Sequence, residues 1–522
     1  MTATAERLAA AKAYLAERGL DGRHRDIKGS VVLANFRGPA AQRAAAAHAP
    51  QRRAFDAATF NRLTAGWQAA TAAIDADLRA GLDTVRARSR ELAQNNEYAV
   101  RFLAMVRANL IGPAGYRLIA RVENAPGKAD NLANDSIEWA WWNWGRKGVG
   151  EVGGRHTWLS ACNTMATHLA RDGEILIRFW RGAAARNPHG FAFQMLDPMR
   201  IDTHYNRDAS STQNAIVMGV EIDALSRPVA YWLRSKGGAQ ISERVPAADI
   251  LHAYVPIDAE QTRGLPWMHA AIRRLHDLGG YREAAIIAAR IGAAKMGFYT
   301  VDASTDPAEI PDGYAADGVP YQSAEPGEFG VLPHGVGFQQ FDPAYPHEQF
   351  GTFITAALRG IAAGLGVSYH GLSGDLTAVS FSSIRSGTIE ERDQWRVLQT
   401  WFADAVLEPV YTEWLRMALL SGAIKMPNGS ALPAAKLDKF AAHTWQARTW
   451  EWVDPESDAN AIVTKLGANL TTLTHEAGKQ GLDLEEILQT KQRERELYAQ
   501  YGIPYPGDTP APKPGAAADA DA

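Results

Sequence analysis

The chain has 522 residues, of which 46% are hydrophobic and 21% are charged, and its formal net charge at pH 7 is -4. This length allows about two to four domains, and the composition is that of a folded protein with a substantial core. The charge excludes a strong overall basic field, so any contact with DNA must depend on local geometry. The single cysteine, Cys162, excludes an internal disulfide and a multi-cysteine metal site, and we expect it to be buried.

The N-terminal segment lacks an apolar core of signal-peptide length, and no apolar run reaches the roughly 18 residues of a membrane-spanning helix. We therefore expect a soluble protein that is intracellular or assembled inside a cell. Residues 1–55, rich in alanine and arginine, are predicted to form a peripheral arm.

Apolar residues at helical spacing predict helix within 64–111, ending at Gly112-Pro113. Three closely spaced arginines of this helix favour a solvated or subunit-contacting face over a phosphate-binding one. They are Arg86, Arg88 and Arg90.

Four tryptophans follow within six residues, 139–144. They favour aromatic packing at a domain or subunit interface over base stacking, because little basic charge surrounds them. Gly148, Gly150 and Gly153 match GxGxxG, but they follow a tryptophan-rich helix rather than a strand, so we reject a dinucleotide site. The absence of GxxxxGK[ST] and HExxH motifs excludes NTPases and zinc hydrolases of those types.

From Glu174 to Ile257, short apolar runs separated by Gly, Pro, Asn and Asp predict a mainly antiparallel sheet, with a hairpin turn at 225–228. Several acids and histidines stand at predicted strand ends, where we expect them to satisfy backbone groups rather than form a catalytic or metal site. They are Asp197, Asp202, His204 and His252.

A helix of about 30 residues, roughly 45 Å long, is predicted after Gly264. Small residues in its second half, Ala285, Ala289 and Gly292, would let another helix approach closely, as in a bundle or ring. A single buried helix in a monomer is the alternative. Over residues 297–343 the sequence predicts two strands that flank an acidic, Gly/Pro-rich insert.

A second amphipathic helix, with Phe353 and Leu358 on its apolar face, is predicted over 346–365. A loop of glycines and serines follows, with one acid and no lysine or arginine, and then a long helix to 421 that Pro409 should kink. No nucleophile, base and orienting group converge on the loop, which therefore favours a contact role. Residues 457–503 predict polar helices with an apolar side of leucines, namely Leu466, Leu470, Leu473, Leu484 and Leu488.

Six stretches resemble the portal proteins of tailed bacteriophages, in particular the lambda-like branch, within a similarity that runs from about Arg52 to Tyr505. The stretches are TAGW at 64–67, TVRARSRELAQNN at 84–96, NLIGPAG at 109–115, RDGEILIRF at 171–179, TRGLPWMHAAIRRL at 262–275 and IAAGLGVSYHGLSGDLTAVSFSSIRSG at 361–387.

This resemblance implies a non-enzymatic ring, typically of twelve subunits, at one vertex of the capsid, without cofactor, metal or membrane. Double-stranded DNA would pass through its channel without sequence preference. The terminase large subunit, head-completion and tail connector proteins, and major capsid and scaffold proteins would be its partners. The ring would reside in the virion and be assembled in the host cytoplasm.

The implied fold is α+β, with an α/β wing, a two-helix stem, a small β-containing clip, a long kinked helix and an α-helical crown. The implied segments are arm 1–55, wing 56–264, first stem helix 265–296, clip 297–343, second stem helix 344–370, tunnel loop 371–382, kinked helix and return to the wing 383–454, crown 455–503 and disordered tail 504–522.

The resemblance also implies roles for individual residues. Ala285, Ala289, Gly292, Phe353 and Leu358 would pack the stem. The channel side chains of the tunnel loop would be Ser373, Asp375, Thr377, Ser380 and Ser382. Weak hydrogen bonds from such side chains suit a conduit, because many strong phosphate contacts would stall a sliding duplex.

Two alternatives stay open at this point. One is a hydrolase that uses Asp375 with His370, or Asp202 with His204. The other is a different virion ring, such as a head–tail adaptor, although adaptors are usually much shorter chains.

Overall fold

The computed structural model describes residues 72–236, 241–293, 297–301, 336–340, 349–377, 381–450, 455–480 and 482–506. The predicted arm, most of the predicted clip insert and nearly all of the predicted tail lie outside these residues. The fold is a mixture of helices and antiparallel sheets, as expected for the α+β class.

Two consecutive helices open the described chain, α1 (Ile74–Asn95) and α2 (Glu97–Val106). Asn96 separates them because its side chain accepts hydrogen bonds from the backbone N–H groups of Tyr98 and Ala99 and so caps α2. A π-helical turn continues α2, and the predicted end at Gly112 is confirmed, since its φ of 77° stops the helix.

Three short strands and two helices follow, and the helices supply the aromatic centre of the core. The five elements are β1 (Arg117–Ala120), β2 (Glu123–Ala125), β3 (Lys128–Ala129), α3 (Asn131–Trp144) and α4 (Trp158–Asp172). Trp141 and Trp144 of α3 are buried with their ring centroids 4.8 Å apart. Cys162 is buried as predicted, and burial raises the pKa of its thiol.

Seven strands follow, all paired antiparallel, as predicted. They are β4 (Ile175–Arg181), β5 (Phe191–Leu196), β6 (Ala215–Val217), β7 (Val220–Ile222), β8 (Pro228–Arg234), β9 (Ile241–Pro246) and β10 (Ile250–Ala253). They form two sheets rather than one, with strand orders β10-β4-β5 and β6-β7-β8-β9.

Two details of this region differ from the sequence prediction. The run 215–223 is a hairpin rather than one strand, because Met218 and Gly219 take positive φ values of 47° and 82°. Strand β9 was missed because its sequence, ISERVP, is largely polar. The turn at 225–228 is confirmed, and the Asp223 carboxylate accepts from the N–H groups of Leu225 and Arg227.

The two predicted stem helices are α5 (Ile272–Ala293) and α6 (Phe350–Leu365), and between them β11 (Gly297–Val301) pairs with β12 (Val336–Gln340). The prediction that α5 begins at 265 is wrong. Residues 267–271 form tight turns, in which the N–H groups of His269 and Ala271 bond to the carbonyls of Pro266 and Met268, three residues earlier.

A short helix, α7 (Tyr369–Ser373), leads into the long helix, which has two α-helical parts, α8 (Phe381–Phe402) and α9 (Glu408–Leu420). A π-helical segment, Ala403–Leu407, separates them just before Pro409. The predicted irregularity is thus present, since proline lacks the N–H that a regular helix needs there.

The C-terminal part contains α10 (Leu437–Phe440), β13 (His443–Gln446), α11 (Pro455–Gly467), α12 (Leu473–Lys479) and α13 (Leu484–Gln500). Strand β13 pairs with β1. Helix α13 also contacts this region, since Glu486 accepts from Arg117 of β1, and Asp483, just before α13, accepts from Arg121, just after β1. The leucines predicted to form the apolar side of these helices are not all buried. Leu470, Leu473 and Leu488 are exposed.

Candidate functional site

Aromatic stacking holds α5 against α6. The ring of Tyr281 on α5 lies 5.7 Å from Phe350 and 4.9 Å from Phe353 on α6, measured between centroids. Ala285 and Leu358, both predicted to pack the stem, are buried. Phe353 keeps 53% of its surface exposed, as do Ile286 with 52% and Ile287 with 48% on α5.

The helices approach closely near the start of α5, through residues that the sequence prediction missed. A Cβ added to Gly364 would lie 3.7 Å from Cβ of Ala271, and one added to Gly360 would lie 3.0 Å from a guanidinium nitrogen of Arg274. In the predicted strip, Ala289 is half-buried and the surroundings of Gly292 lie outside the described residues. Gly279 and Gly280, by contrast, face open space in the single chain.

The turn after α7 is organised by the Asp375 carboxylate. It accepts from the hydroxyl and the N–H of Thr377, at 2.6 and 2.9 Å, and from the hydroxyl of Tyr369 at 2.8 Å. These bonds from Thr377, and then from Tyr369, lower the pKa of Asp375 to about 2. Ser373 closes the turn by donating to the Tyr369 carbonyl and accepting from the Asp375 N–H. The described part of the loop is therefore a hydrogen-bonded anionic turn.

The remaining predicted loop residues are placed differently. Ser380 lies outside the described residues, and Ser382 is the second residue of α8, which begins at Phe381. The prediction that Ser382 belongs to the loop is therefore wrong.

In neither candidate hydrolase pair does the carboxylate contact the imidazole. Nδ1 of His370 lies 2.8 Å from the backbone carbonyl of Asp375, whose carboxylate is occupied by Tyr369 and Thr377. The Asp202 carboxylate pairs with Arg234, whereas the His204 ring lies 3.1 Å from Asp83. No cluster of three or more metal-binding side chains occurs among the described residues, and no helix described there is long and apolar enough to cross a membrane.

A buried charge network, which periodicity did not predict, lies next to the segment that enters α5. Glu174 pairs with Arg86 at 2.7 Å, Arg263 at 2.5 Å and His252 at 2.9 Å, and all four side chains are buried. The expectation of an exposed arginine face is wrong for Arg86. Of Arg86, Arg88 and Arg90, Arg88 is the one that is exposed.

The network sets the charge states of its members. Burial by itself would raise the pKa of Glu174, but the charges of Arg263 and Arg86 hold that pKa well below its usual value. Burial also lowers the pKa of His252 against the opposing effect of Glu174. Glu174 is therefore the carboxylate that compensates two buried guanidiniums.

The same network fixes the backbone before α5. The Gly264 N–H donates to the Glu174 carboxylate at 2.9 Å, and Arg86 donates to the carbonyls of Asp172 and Gly264 at 2.8 and 3.2 Å. Gly173 takes a φ of 90°, and an added Cβ at either Gly173 or Gly264 would overlap the facing backbone. Residues from three of the quoted stretches, 84–96, 171–179 and 262–275, thus meet in one place.

The profile described as "Phage portal protein, lambda family" matches residues 60–399, which is more than half of the chain. The chain belongs to the lambda family of phage portal proteins. It is 34% identical over 466 residues to a probable portal protein of Halomonas phage phiHAP-1, covering 87% of this chain and 88% of that protein. It is 22% identical over 466 residues to portal protein B of Escherichia phage lambda, covering 82% and 86%.

The solved structures that this portal-family chain resembles include one from the neck of an empty gene transfer agent particle, computed with C6 symmetry. That similarity covers 77% of this chain and 94% of the other, with a TM-score of 0.42 and 16% sequence identity.

Proposed function

We propose that copies of this chain assemble into a closed ring at one vertex of a phage capsid, through which double-stranded DNA enters and leaves. The observation that carries the proposal, beside family membership, is the apolar surface that α5 and α6 leave uncovered at Ile286, Ile287 and Phe353. Side-by-side packing of neighbouring copies would remove this surface from water, and repeating the same contact around an axis closes a ring.

In this proposal α5 and α6 form the stem, the β11–β12 pair belongs to the clip, and α11 to α13 form the crown. The wing corresponds to the body that precedes α5. The anionic turn around Asp375 belongs to the tunnel loop that contacts DNA. A carboxylate with a lowered pKa repels phosphate, so contacts there would be weak and would let a duplex slide.

The finer roles are those that membership of the portal family suggests. One end of the ring would receive the terminase large subunit during packaging and the head-completion and tail connector proteins afterwards. The major capsid and scaffold proteins would surround it, with assembly in the host cytoplasm. We propose no catalysis, since both candidate carboxylate–imidazole pairs are engaged elsewhere.

The experiment compares the purified wild-type chain with a variant that lacks Ser373–Ser380. Mass photometry should show rings of the same mass for both, because the helices and not the loop carry the packing. A packaging assay in infected or complemented cells should show a loss of packaged DNA for the deletion alone. A matched deletion of 209–212, an exposed segment of the wing, should package normally.

Monomers of the wild type at micromolar concentration would contradict the ring. Failure of the loop deletion to assemble would contradict the division of roles between helices and loop. Hydrolysis of DNA or ATP that His370→Ala abolishes would contradict the non-enzymatic assignment.

A further inference from the structure

Three arginines surround the ring of Trp450, just after β13. The guanidinium carbons of Arg392, Arg396 and Arg448 lie 5.8, 5.7 and 5.5 Å from the ring centroid. Cation–π attraction at this distance holds each arginine near the ring, but it does not neutralise any of the three charges. Three like charges are thereby concentrated around one side chain.

Hydrogen bonds to neighbouring residues hold Trp450 and Arg448 in place. Trp450 donates through Nε1 to the Asn109 side chain at 3.0 Å, and Arg448 donates to the same side chain at 3.1 Å and to the Ala108 carbonyl. Gln399 donates to the Arg448 carbonyl at 3.2 Å. The ring and Arg448 are therefore positioned by the end of α2 and by α8, and do not depend on a ligand for their placement.

The charges of the cluster are incompletely compensated within the described part of the chain. Arg396 pairs with Asp393 at 2.6 Å, whereas Arg448 bonds to a carbonyl and an amide, and Nε of Arg392 is buried without a hydrogen-bond partner. Burial, and then the charges of Arg396 and Arg448, lower the pKa of Arg392 against the opposing charge of Asp458. An incoming anion would relieve this repulsion.

A groove of about 320 Å³ opens beside the cluster, between α8, β13 and α12. Its cationic lining consists of Arg121, Arg396, Arg448 and Lys479, and Asp483 is the carboxylate in that lining. Asp483 pairs with Arg121, Asp393 with Arg396 and Glu476 with Lys479, so Arg448 is the lining cation without a carboxylate partner among the described residues. The hydroxyl of Thr449, also in the lining, donates to the Gln480 carbonyl.

We propose that this groove binds the phosphodiester backbone of DNA, as a second contact separate from the anionic tunnel-loop turn. Guanidinium groups match the geometry of phosphate oxygens, and Arg448, with Arg396 on the same ring, suits one phosphate. Because the guanidiniums lie against the Trp450 ring, that ring is not free for base stacking, and binding is independent of sequence. The inference rests on the proposed function, which supplies the DNA.

The test uses the assembled full-length protein and a fluorescent 30-base-pair duplex, with anisotropy measured over a series of salt concentrations. Arg396→Gln should weaken binding by about 3- to 10-fold at low salt and reduce the slope of log K against log salt by about 1 for each groove occupied. The double variant Arg392→Gln/Arg396→Gln should extend both effects. Arg227→Gln is the matched control, since Arg227 is also exposed, lies in a turn distant in sequence and pairs with a local carboxylate, Asp223.

Equal effects of Arg396→Gln and Arg227→Gln would overturn the inference in favour of a general field. An unchanged salt slope in the double variant would also overturn it, while rings seen by mass photometry would leave the portal proposal intact. Polyglutamate that displaces the duplex as well as unlabelled DNA does would assign the groove to an acidic protein segment. If inorganic phosphate at millimolar concentration displaces the duplex equally well, the groove is assigned to a free anion. If mass photometry showed no ring, both this inference and the portal proposal would be contradicted.

Discussion

Glu174 and Arg263 form an ion pair in which neither side chain is exposed, with 2.5 Å between Oε1 of Glu174 and Nη2 of Arg263. Arg263 also donates to the carbonyls of Met218, Ile201 and Pro198, so one guanidinium ties the β4 end of one sheet to the hairpin of the other. The pair stands directly before the chain enters α5. A buried charge with this many fixed partners makes the segment that leads into the stem a rigid part of the body.

Glu174→Gln should destabilise the chain by about 3 to 5 kcal/mol, because it leaves Arg86 and Arg263 buried without a counter-charge. The free energy of unfolding in denaturant measures this change. Glu243→Gln is the control, since Glu243 pairs with Arg178 at a partly exposed site where the loss should stay below about 1 kcal/mol. Similar losses for the two variants would contradict the role assigned to Glu174.

Gly264→Ala should destabilise the chain by about 2 kcal/mol or more, because its Cβ would overlap the carbonyl oxygen of Gly173 and neither backbone can move without breaking the network. Gly81→Ala serves as the control in thermal unfolding. Gly81 lies inside α1 with nothing within 4 Å of an added Cβ, so alanine there should stabilise by about 0.5 to 1 kcal/mol. A neutral Gly264→Ala would show that the two backbones are not in contact.

Stability should fall in acid through Glu221. Its bidentate pairing with Arg244, and then its bond from Asn214, lower its pKa from 4.5 to about 2. The unfolded chain therefore takes up a proton before the folded one does, so this stabilisation is complete above pH 4.5 and is lost as the pH falls towards 2.

The contribution should be about 1 to 2 kcal/mol, because solvent screens the partly exposed Arg244. Urea titrations of wild type and Glu221→Gln at several pH values between 2 and 6 isolate it. The difference in unfolding free energy between the two proteins should shrink as the pH falls. A difference that is constant over this range would disprove the assignment.

Ile286→Asp should prevent ring formation without unfolding the chain, if neighbouring copies cover the exposed face of α5. Mass photometry would then show monomers, while circular dichroism stays that of wild type. Leu225→Asp is the control, because Leu225 is more exposed, at 72%, but lies in the turn between β7 and β8. Normal rings from Ile286→Asp would place the subunit contact elsewhere.

Much of the local structure could be predicted from the sequence. The apolar spacing predicted α6 and the strand pair β11–β12, and Pro409 predicted the interruption that the structure shows as a π-helical segment. These features succeed because each depends on residues that are neighbours along the chain. The prediction for the start of α5 failed because the bonds of its first residues are those of tight turns, and Trp267 is bonded to Ala170, almost a hundred residues away in sequence.

The arginines of α1 show a second kind of failure. Periodicity distinguishes apolar from polar faces, and a polar face is ordinarily assigned to solvent. Arg86 is fully buried because Glu174 compensates its charge, and a pairing of this kind leaves no trace in the spacing of apolar residues. The signal that was present lay in the quoted stretches around Arg86, Glu174 and Arg263, whose shared location the sequence did not reveal.

The sequence by itself determined the family, the order of helices and strands around the stem and the absence of the NTPase and zinc-hydrolase motifs, because these reside in short contiguous patterns. Only the tertiary structure decided that Glu174 joins Arg86 and Arg263 before the stem, that Asp375 closes its own turn instead of serving His370, and that three arginines gather on Trp450. Each of these features depends on which side chains lie close together in the folded chain. Burial and charge compensation depend on distance in space, which the distance along the chain does not reveal.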